Sequence, residues 1–496
     1  MRSSYLGLDI GTSAVKTIIV NEDGEYLASA QCTLTVSVPR PGWSEQAPEH
    51  WWDATVTAVR AAVEAMPDGY EVEAIGLSGQ MHSLVMLDEA DQVIRPAILW
   101  NDVRTTTQCE EIESMLGLDR LGQLVGNRAL EGFTAPKLLW LAENESDSYA
   151  RMRTLLMPKD YVRLRMTGER ATDPSDAAGT LLFDIRTGRW SIEMLETLRL
   201  HSERLPKVVG SAEVSGHLMQ SIARDLGLAP GTPVVGGGAD NAAAAIGAGV
   251  VTGGTGSVSI GSSGVVVVPI DVPQVDPEMR LHTFNHAISD MWYVMGVVLS
   301  AGAALSWWRG IIDCGGRTSE YVEIVSEAST ILPGCDGLTF LPYLTGERTP
   351  HADSNARGVF FGLHAGHQRA HMVRAVMEGV TFALLDSLSL MIDLGNAPSE
   401  LVIVGGGARS STWKQMISDA FDLPVVSLSK EGGAPLGAAI LGACGVGRFR
   451  DPRIGAVEWV TRGETILPRE DHKQAYRQAY GRYRGLYPAL RHNFAQ

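Results

Sequence analysis

The segment GGGADNAAAAIG (residues 236–247) contains a single carboxylate, Asp240, between three glycines and a run of alanines. A carboxylate beside a hydroxyl group can take its proton while that hydroxyl attacks an electrophile. Small apolar neighbours let substrates come close and exclude water, and burial raises the pKa of a carboxyl group such as Asp240. A second interpretation, that Asp240 caps the alanine-rich helix, is compatible with the first. The helix N-terminus would then oppose the rise in pKa.

Two glycine turns join strand patterns and offer hydroxyl groups and backbone N–H groups to a phosphate. The first is Gly11-Thr12-Ser13, and the second is Gly261-Ser262-Ser263-Gly264. Asp9 ends the strand before the first turn and could hold a water of a phosphate-bound Mg²⁺, which prefers carboxylate, phosphate and water oxygens. Ordinary structural turns are the competing interpretation. If both turns bind phosphate and face each other, they would clamp a triphosphate from two sides.

A third glycine turn follows the strand pattern 401–404 and reads Gly405-Gly406-Gly407-Ala408. A glycine-rich turn between a strand and a helix favours nucleotide binding, because no side chain separates the backbone from the ligand. We expect Ser411 or Thr412 to cap the following helix. The GxGxxG dinucleotide fingerprint is absent, and no lysine follows a glycine, which excludes a Walker A loop.

Two histidine-containing segments invite functional interpretations. Ser78-Gly79-Gln80-Met81-His82-Ser83 follows a buried strand pattern, and Gln80 and His82 are suited to binding hydroxyl groups. A strand-end turn with a satisfied histidine is the alternative. The spacing of the histidines at 364, 367 and 371 resembles a set of metal ligands, but Gly366 interrupts any helix there, and we do not predict a metal site.

These turns are placed by alternating strand and helix patterns, which indicate an α/β protein with mixed sheets. The clearest helix begins near Arg369 and stops at Gly395. YLGLDIGTSAVKTIIV (5–20) is echoed by TGSVSIGSSGVVVV (255–268), which suggests two similar domains that each open with a glycine-centred hairpin. The clearest strands are 5–10, 15–20, 74–78, 232–236, 257–260, 265–268 and 401–404.

Length and composition restrict the class of protein. A chain of 496 residues needs more than one hydrophobic core. Its net charge of −16 disfavours nucleic acid and anionic membranes as partners. The five scattered cysteines indicate a reduced, cytoplasmic protein. No leader is expected at the N-terminus, and the longest apolar runs are too short to span a bilayer.

Several motifs occur together and in order, and the chain carrying them resembles the FGGY carbohydrate kinases, especially those that act on D-xylulose. The motifs span most of the chain: GLDIGTSAVK (7–16), GWSEQAPEHWW (42–52), SGQMH (78–82), PAILWNDVR (96–104), GFTAPKLLWL (132–141), LMPKDYVRLRMTGE (156–169), DPSDAAGT (173–180), GGGADNAAAA (236–245), LPYLTGERTPH (341–351), GVFFGL (358–363) with HMVRAVMEGV (371–380), and GGGARS (405–410).

The resemblance implies an α/β fold of two actin-like (ribonuclease H-like) domains with a central cleft, an N-terminal domain of residues 1–246 and a C-terminal domain of residues 247–496. The implied reaction uses ATP and Mg²⁺ to phosphorylate D-xylulose to D-xylulose 5-phosphate. The resemblance assigns the site residues as follows: Asp240 as catalytic base, Asp9 as the acid near the metal and phosphates, Gln80, Met81, His82 and Asn241 as sugar ligands, and Gly11, Thr12, Ser13, Gly261, Ser262, Ser263 and Gly405–Ala408 as nucleotide ligands.

This chain departs from the pattern in two places. Ser262 stands where the family usually has threonine, which keeps the hydroxyl group. Ala239 is an extra residue before Asp240, so the position of Asp240 rests on the pattern alone. A kinase for another ketose or polyol, such as ribulose, 1-deoxyxylulose or an alditol, is the alternative. A non-catalytic ATP-gated binding protein would be expected to lack the base. The oligomeric state is left open, with a homodimer as one option.

Overall fold

The structure is a computed structural model, and it describes residues 1–313 and 320–494. Cys314 lies outside the described residues. The other four cysteines are free thiols.

The first half of the chain begins with a hairpin and ends with the alanine-rich helix that follows Asp240. Its strands are β1 (Arg2–Ile10), β2 (Ala14–Asn21), β3 (Tyr26–Thr33), β4 (Glu45–Gln46), β5 (Tyr70–Gly79), β6 (Val85–Leu87), β7 (Ala97–Ile98), β8 (Thr154–Leu156), β9 (Ala171–Thr172), β10 (Phe183–Asp184), β11 (Arg189–Trp190), β12 (Lys207–Val208), β13 (Val214–His217), β14 (Pro233–Val235) and β15 (Gly238–Ala239). Its helices are α1 (Pro48–Ala65), α2 (Thr106–Leu116), α3 (Leu118–Val125), α4 (Thr134–Asn144), α5 (Ser146–Arg151), α6 (Pro158–Thr167), α7 (Pro174–Ala178), α8 (Ile192–Thr197), α9 (Gln220–Leu226) and α10 (Asp240–Gly247).

The second half begins with another hairpin. Its strands are β16 (Thr255–Ile260), β17 (Gly264–Ile270), β18 (His282–Asn285), β19 (Trp292–Val298), β20 (Thr339–Leu341), β21 (Val359–Phe361), β22 (Glu400–Val404), β23 (Val425–Leu428) and β24 (Arg462–Ile466). Its helices are α11 (Gly302–Ile312), α12 (Tyr321–Ser329), α13 (Arg369–Asp393), α14 (Ser411–Phe421), α15 (Gly433–Gly445), α16 (Pro452–Trp459) and α17 (Glu470–Leu490). All seven strands named in the sequence analysis and the helix starting at Arg369 are present.

Two mixed sheets with the same topology form the centre of the molecule. The first has the order β3-β2-β1-β5-β14-β13, with β15 also paired to β5, and the second has the order β18-β19-β17-β16-β22-β23-β24. In each sheet a hairpin is continued on one side by an antiparallel strand. On the other side come two parallel strands and then an antiparallel one. The predicted duplication of a hairpin-led α/β domain is therefore confirmed.

Helices α10 and α15 pack together between the sheets, and glycines let their backbones touch. A Cβ on Gly437 would lie 1.8 Å from the carbonyl oxygen of Ala243, and one on Gly247 would lie 2.0 Å from that of Gly433. On the sheet side of α15, a Cβ on Gly76 would lie 1.7 Å from the carbonyl oxygen of Ala438. Helix α15, from late in the chain, therefore packs directly on the first sheet, and it fixes α10 and the Asp240 segment against that sheet.

Helix α13 passes through the interior of the second half. Among the described residues it is the one helix whose length and composition would suit a membrane span, and 78% of its apolar window is buried inside the protein. The bounds predicted from the sequence, near Arg369 to Gly395, agree with this helix, and charged residues interrupt its apolar run. Two of them, Arg374 and Glu378, form a buried ion pair of 2.8 Å. The apolar face of α13 thus belongs to the core of the second half.

Candidate active site

The glycines before Asp240 are required by close packing. Gly237 has φ of +75°, and a Cβ there would lie 2.3 Å from the carbonyl oxygen of Leu77. A Cβ on Gly236 would lie 2.4 Å from the carbonyl oxygen of Gly210. Because no side chain fits at these positions, the chain runs closely past β5, and Asp240 begins α10 at the end of that sheet.

Asp240 is the first residue of α10, and Ala239 occupies the N-cap position. The interpretation of Asp240 as the capping residue is therefore wrong. Its Oδ1 accepts hydrogen bonds from the backbone N and from Nδ2 of Asn241, at 2.7 and 3.0 Å. Burial, and next the negative charge of Asp9, raise the pKa of Asp240 to about 7. Near neutral pH the carboxyl group of Asp240 therefore exchanges protons readily.

Asp9 lies near the end of β1, and its Oδ1 is buried without a hydrogen-bond partner among the described residues. Burial raises the pKa of Asp9 to about 6, and the nearby Lys16 acts in the opposite direction. Because the charge of Asp9 also acts on Asp240, the structure brings the two carboxylates together, although they are 231 positions apart.

A cavity of about 190 Å³ lies between the two halves and contains Asp240. Aromatic and aliphatic side chains form most of its wall, with a small number of polar groups, as is usual for small-molecule sites. Its lining residues are Met81, His82, Trp100, Leu130, Gly132, Phe133, Asp240, Asn241, Ser263, Val265, His282, Phe284, Met295, Val297 and Arg348. Four residues that the sequence analysis associated with a sugar or a base (Met81, His82, Asp240 and Asn241) are therefore together in one cavity.

His82 is held as a neutral imidazole. Its backbone has φ of +68°, and its Nδ1 lies 2.5 Å from the carbonyl oxygen of Gly179. Burial lowers the pKa of His82 to about 3. A neutral ring that donates from Nδ1 to a carbonyl keeps Nε2 as a hydrogen-bond acceptor. His82 therefore offers an acceptor suited to a hydroxyl group in the cavity that it lines.

Gln80 lies elsewhere. Its side chain contacts the first hairpin, where it accepts a hydrogen bond from Thr12 at 3.1 Å and donates to the carbonyl oxygen of Gly11 at 3.4 Å. Gln80 therefore supports the conformation of the Gly11-Thr12-Ser13 turn and does not line the cavity that contains Asp240.

The tip of the second hairpin separates two cavities. Ser263 lines the cavity of Asp240, whereas Gly261 and Ser262 line a larger cavity of about 820 Å³. The larger cavity is also lined by Gly406 and Gly407 of the third glycine turn. A ligand spanning both cavities would therefore pass along the Gly261-Ser262-Ser263 tip.

The third glycine turn is shaped by contact with β16. Gly405 has φ of +86°, and a Cβ there would lie 2.8 Å from the carbonyl oxygen of Ile260. Ala408 packs toward the core of the second half and does not line the larger cavity. Ser410 caps α14 by accepting from the backbone N of Trp413 at 3.1 Å. The prediction that Ser411 or Thr412 is the cap is therefore wrong, because the helix begins at Ser411.

Behind the Asp240 cavity lies a buried ionic cluster formed by Lys159, Asp160, Arg163, Asp173 and Asp176, all with fully buried side chains. Lys159 Nζ lies 2.6 Å from Asp160, 2.8 Å from Asp173 and 3.2 Å from Asp176. Burial raises the pKa of Asp176 well above its usual range. With Asp176 protonated, two cations face two anions, and the cluster is neutral.

The ionic cluster is linked to both sides of the cavity. Asp173 Oδ2 accepts a hydrogen bond of 2.5 Å from Ser175 Oγ, which in turn accepts one of 2.9 Å from the backbone N of Ala239, next to Asp240. Gly179, which follows α7 of the same segment, holds His82. These residues lie in the motifs LMPKDYVRLRMTGE and DPSDAAGT, but their role is not apparent from the sequence, because a run such as PKDYVR is equally suited to a solvated helix face.

His282 and Arg348 also line the cavity, and the sequence analysis did not single them out. Arg348 lies in the quoted motif LPYLTGERTPH, which was the available signal, whereas His282 lies in an ordinary strand pattern. In the described part of the chain, no three His, Cys, Asp or Glu side chains are grouped as a metal site.

Two hairpin-led sheets of equal topology, with a cavity between the halves, are the architecture of actin-like two-domain ATPases and sugar kinases. Residues 4–247 match the N-terminal domain and residues 256–446 match the C-terminal domain of the FGGY family of carbohydrate kinases. The chain belongs to this family, and it is a carbohydrate kinase.

Its relatives include several xylulose kinases. It is 40% identical to the xylulose kinase of Bacillus subtilis (strain 168) over 97% of this chain and 96% of the relative. It is 39% identical to the xylulose kinase of Escherichia coli (strain K12) over 98% of this chain and 99% of the relative. Among solved structures, the xylulose kinase from Rhodospirillum rubrum is 28% identical with a TM-score of 0.93, covering 99% of this chain and 100% of the other.

Proposed function

We propose that the protein transfers the γ-phosphoryl group of ATP to the C5 hydroxyl of D-xylulose, giving ADP and D-xylulose 5-phosphate. The observation that carries the proposal is the Asp240 carboxyl group, with a pKa of about 7, in a cavity beside the tip of a glycine hairpin. The xylulose kinases at about 40% identity support D-xylulose as the sugar.

In this proposal Asp240 acts as the general base. The C5 oxygen attacks the γ-phosphorus, the bond from that phosphorus to the β,γ-bridging oxygen breaks, and ADP leaves with the bond's electron pair. Asp240 takes the C5 hydroxyl proton as the new O–P bond forms. Its small neighbours leave room for the sugar and the phosphate to meet. Met81, His82 and Asn241 hold the sugar, and Gln80 supports it indirectly through the first hairpin.

The nucleotide is proposed to lie along the glycine turns. Gly11, Thr12 and Ser13 of the first hairpin, Gly261, Ser262 and Ser263 of the second, and Gly405, Gly406, Gly407 and Ala408 of the third turn form this side of the site. Of these, Gly261, Ser262, Gly406 and Gly407 line the larger cavity, which we assign to the nucleoside. Ser263 faces the sugar and would meet the phosphate that is transferred.

A Mg²⁺ ion fits beside Asp9. The buried and unpaired Oδ1 of Asp9 is a hard oxygen donor, and Mg²⁺ in kinases is held by one or two carboxylates, waters and substrate phosphates rather than by a full protein cage. When bound, the ion neutralises charge on the phosphates. Asp9 would hold it through a water, and this contact would also lower the repulsion between Asp9 and Asp240.

We further propose a division of labour between residues 1–246, which carry the sugar ligands, the first hairpin and the base, and residues 247–496, which bind the nucleotide. The reduced thiols and acidic charge favour the cytoplasm.

ADP release with purified protein, ATP and a panel of D-xylulose, D-ribulose and alditols tests the function. D-xylulose is expected to have the highest kcat/KM, and a clear preference for another sugar would contradict the assignment.

The His82→Ala variant is expected to bind D-xylulose about 1–3 kcal/mol more weakly, because a sugar hydroxyl loses its acceptor in a closed cavity. Isothermal titration calorimetry measures this, with ATP-analogue binding as the control, which should hardly change. An equal loss for both ligands would indicate damaged folding and would contradict a role in sugar binding.

D-xylulose alone is expected to compact the protein. The cavity that contains Asp240 is lined by residues of both halves, so the sugar should bind the closed form best and shift the population toward it. The halves share a hydrophobic core that includes Val125, Phe133 and Phe284, and we expect motion to pivot there. Small-angle scattering with and without sugar measures the radius of gyration. An unchanged radius in every state would contradict the closure.

A further inference from the structure

His282 has no role in the phosphoryl transfer described above, yet it lines the same cavity. His282 is the first residue of β18, and only 5% of its surface is exposed. Its Nδ1 lies 2.8 Å from Oδ1 of Asn127, and its Nε2 is buried with no hydrogen-bond partner among the described residues. A buried nitrogen without a partner costs free energy unless a ligand supplies one.

The neighbours of Asn127 determine which ring nitrogen carries the proton. Asn127 Nδ2 donates to the carbonyl oxygens of Thr283 and Val125, at 2.8 and 3.2 Å, so its Oδ1 must be an acceptor. His282 therefore donates from Nδ1, and Nε2 keeps its lone pair. Burial, and next the charge of Arg348, lower the pKa of His282 well below its usual range. The ring stays neutral, and Nε2 is an acceptor.

Arg348 supplies the complementary donor. Glu347 Oε1 accepts from the backbone N of Leu299 at 3.0 Å and of Arg348 at 2.8 Å, and Thr349 N donates to the carbonyl oxygen of Val297 at 3.0 Å. These bonds fix the backbone on both sides of Arg348. Its Nη2 lies near Gly132, where a Cβ would come within 3.9 Å. In the described ranges no carboxylate or carbonyl accepts a hydrogen bond from its guanidinium, which also lines the cavity.

Asp240 and the pair His282 and Arg348 reach the cavity from different segments of the chain. Gly238, two residues before Asp240, packs on Ala287, where its Cβ would lie 2.8 Å from that of Ala287. His282 is the first residue of β18, five residues before Ala287. The charge of Arg348 acts on the pKa of His282, whereas Asp9 is the charged group that acts on the pKa of Asp240, which puts Arg348 on the His282 side of the cavity.

We propose that His282 and Arg348 recognise the C1 hydroxyl and the C2 carbonyl of the ketose, an inference that rests on the proposed function. With C5 at Asp240, C1 and C2 form the other end of the sugar. At that end, the C1 hydroxyl can donate a hydrogen bond, whereas the adjacent C2 carbonyl can only accept one. His282 Nε2 accepts from the C1 hydroxyl, and the Arg348 guanidinium, which can only donate, binds the C2 oxygen. Both are specificity-determining residues, contributed by the second half of the chain.

The test combines variants with substrates that lack one group each. D-xylulose has both groups, 1-deoxy-D-xylulose lacks the C1 hydroxyl, and xylitol lacks the carbonyl. His282→Ala is expected to lower kcat/KM about 10- to 100-fold for D-xylulose and less than about 3-fold for 1-deoxy-D-xylulose, because the second substrate never made the contact. Arg348→Met is expected to lower kcat/KM for both ketoses much more than for xylitol.

The conservative variant His282→Gln, which retains an acceptor oxygen, should recover part of the activity on D-xylulose, and it replaces His282→Ala if that variant does not fold. His364→Ala, at an exposed histidine, is the matched control and should leave kcat/KM unchanged. Equal losses on D-xylulose and 1-deoxy-D-xylulose would overturn the assignment of His282, and equal losses on ketoses and xylitol would overturn that of Arg348. Failure of the wild-type protein to phosphorylate D-xylulose would overturn the proposed function and this inference with it.

Discussion

The Asp240→Asn variant is expected to fold, to bind D-xylulose, and to lose about 10²–10⁴-fold in kcat, the usual scale of general-base catalysis. Asparagine has nearly the same shape and keeps an oxygen for the Asn241 contacts, but it cannot accept the proton of the sugar hydroxyl. Steady-state kinetics with D-xylulose and saturating ATP measure the loss. A folded variant with near wild-type turnover would contradict the assignment of the base.

The pH dependence provides a second readout of the same residue. A general base works as the carboxylate, so wild-type kcat/KM, which reports the pKa of the free enzyme, should rise with pH through about 7, the pKa of Asp240. The Asp240→Asn variant should lack this rise. A pH profile that is the same in both proteins would mean that another group limits turnover.

Stability should change in the opposite direction to activity. The pKa of Asp240 is raised from 3.8 to about 7, so the unfolded chain loses its proton more easily than the folded one. This cost to stability is absent below pH about 4, grows between pH 4 and 7, and is complete above 7. Asp240→Asn should therefore raise the melting temperature at pH 8 and have little effect at pH 4. A lower melting temperature at pH 8 would indicate that the asparagine disturbs the fold.

The Lys159→Met variant is expected to lower the free energy of unfolding by about 3–5 kcal/mol, the usual cost of removing one partner from a buried ion pair. Lys159 Nζ lies beside the carboxyl groups of Asp160, Asp173 and Asp176, and without it Arg163 is the one cation left in the cluster. Urea denaturation at pH 7 measures the loss. The cluster is linked through Ser175 to the backbone beside Asp240. The folded Lys159→Met protein is therefore also expected to have a lower kcat than the wild type.

Two variants make the Lys159 experiment specific. Lys207→Met removes an exposed lysine and should change the free energy of unfolding by less than about 0.5 kcal/mol. Asp176→Asn should cost less than Lys159→Met, because burial raises the pKa of the Asp176 carboxyl group well above its usual range and so favours its neutral form. If Lys159→Met were as mild as Lys207→Met, the cluster would not contribute to stability as argued.

The sequence by itself determined the elements and their duplication. Runs of β-branched residues alternate with helical periodicity, and glycine turns interrupt them at fixed points, so the strands at 5–10, 15–20 and 257–260 could be predicted locally. The echo of one hairpin in the other predicted two similar sheets. The motifs identified the family and placed Met81, His82 and Asp240, which are in one cavity.

Only the tertiary structure decided which side each residue faces. Gln80 and His82 are two residues apart, yet Gln80 contacts the first hairpin and His82 lines the cavity. Ser262 and Ser263 are adjacent, yet they face different cavities. His282 became a candidate ligand only when Asn127 was placed beside it. Lys159 became a buried cation only when Asp173 and Asp176 were placed around it. Partners 14 to 155 positions away along the chain determine these environments, and local propensity holds no information about such distant contacts.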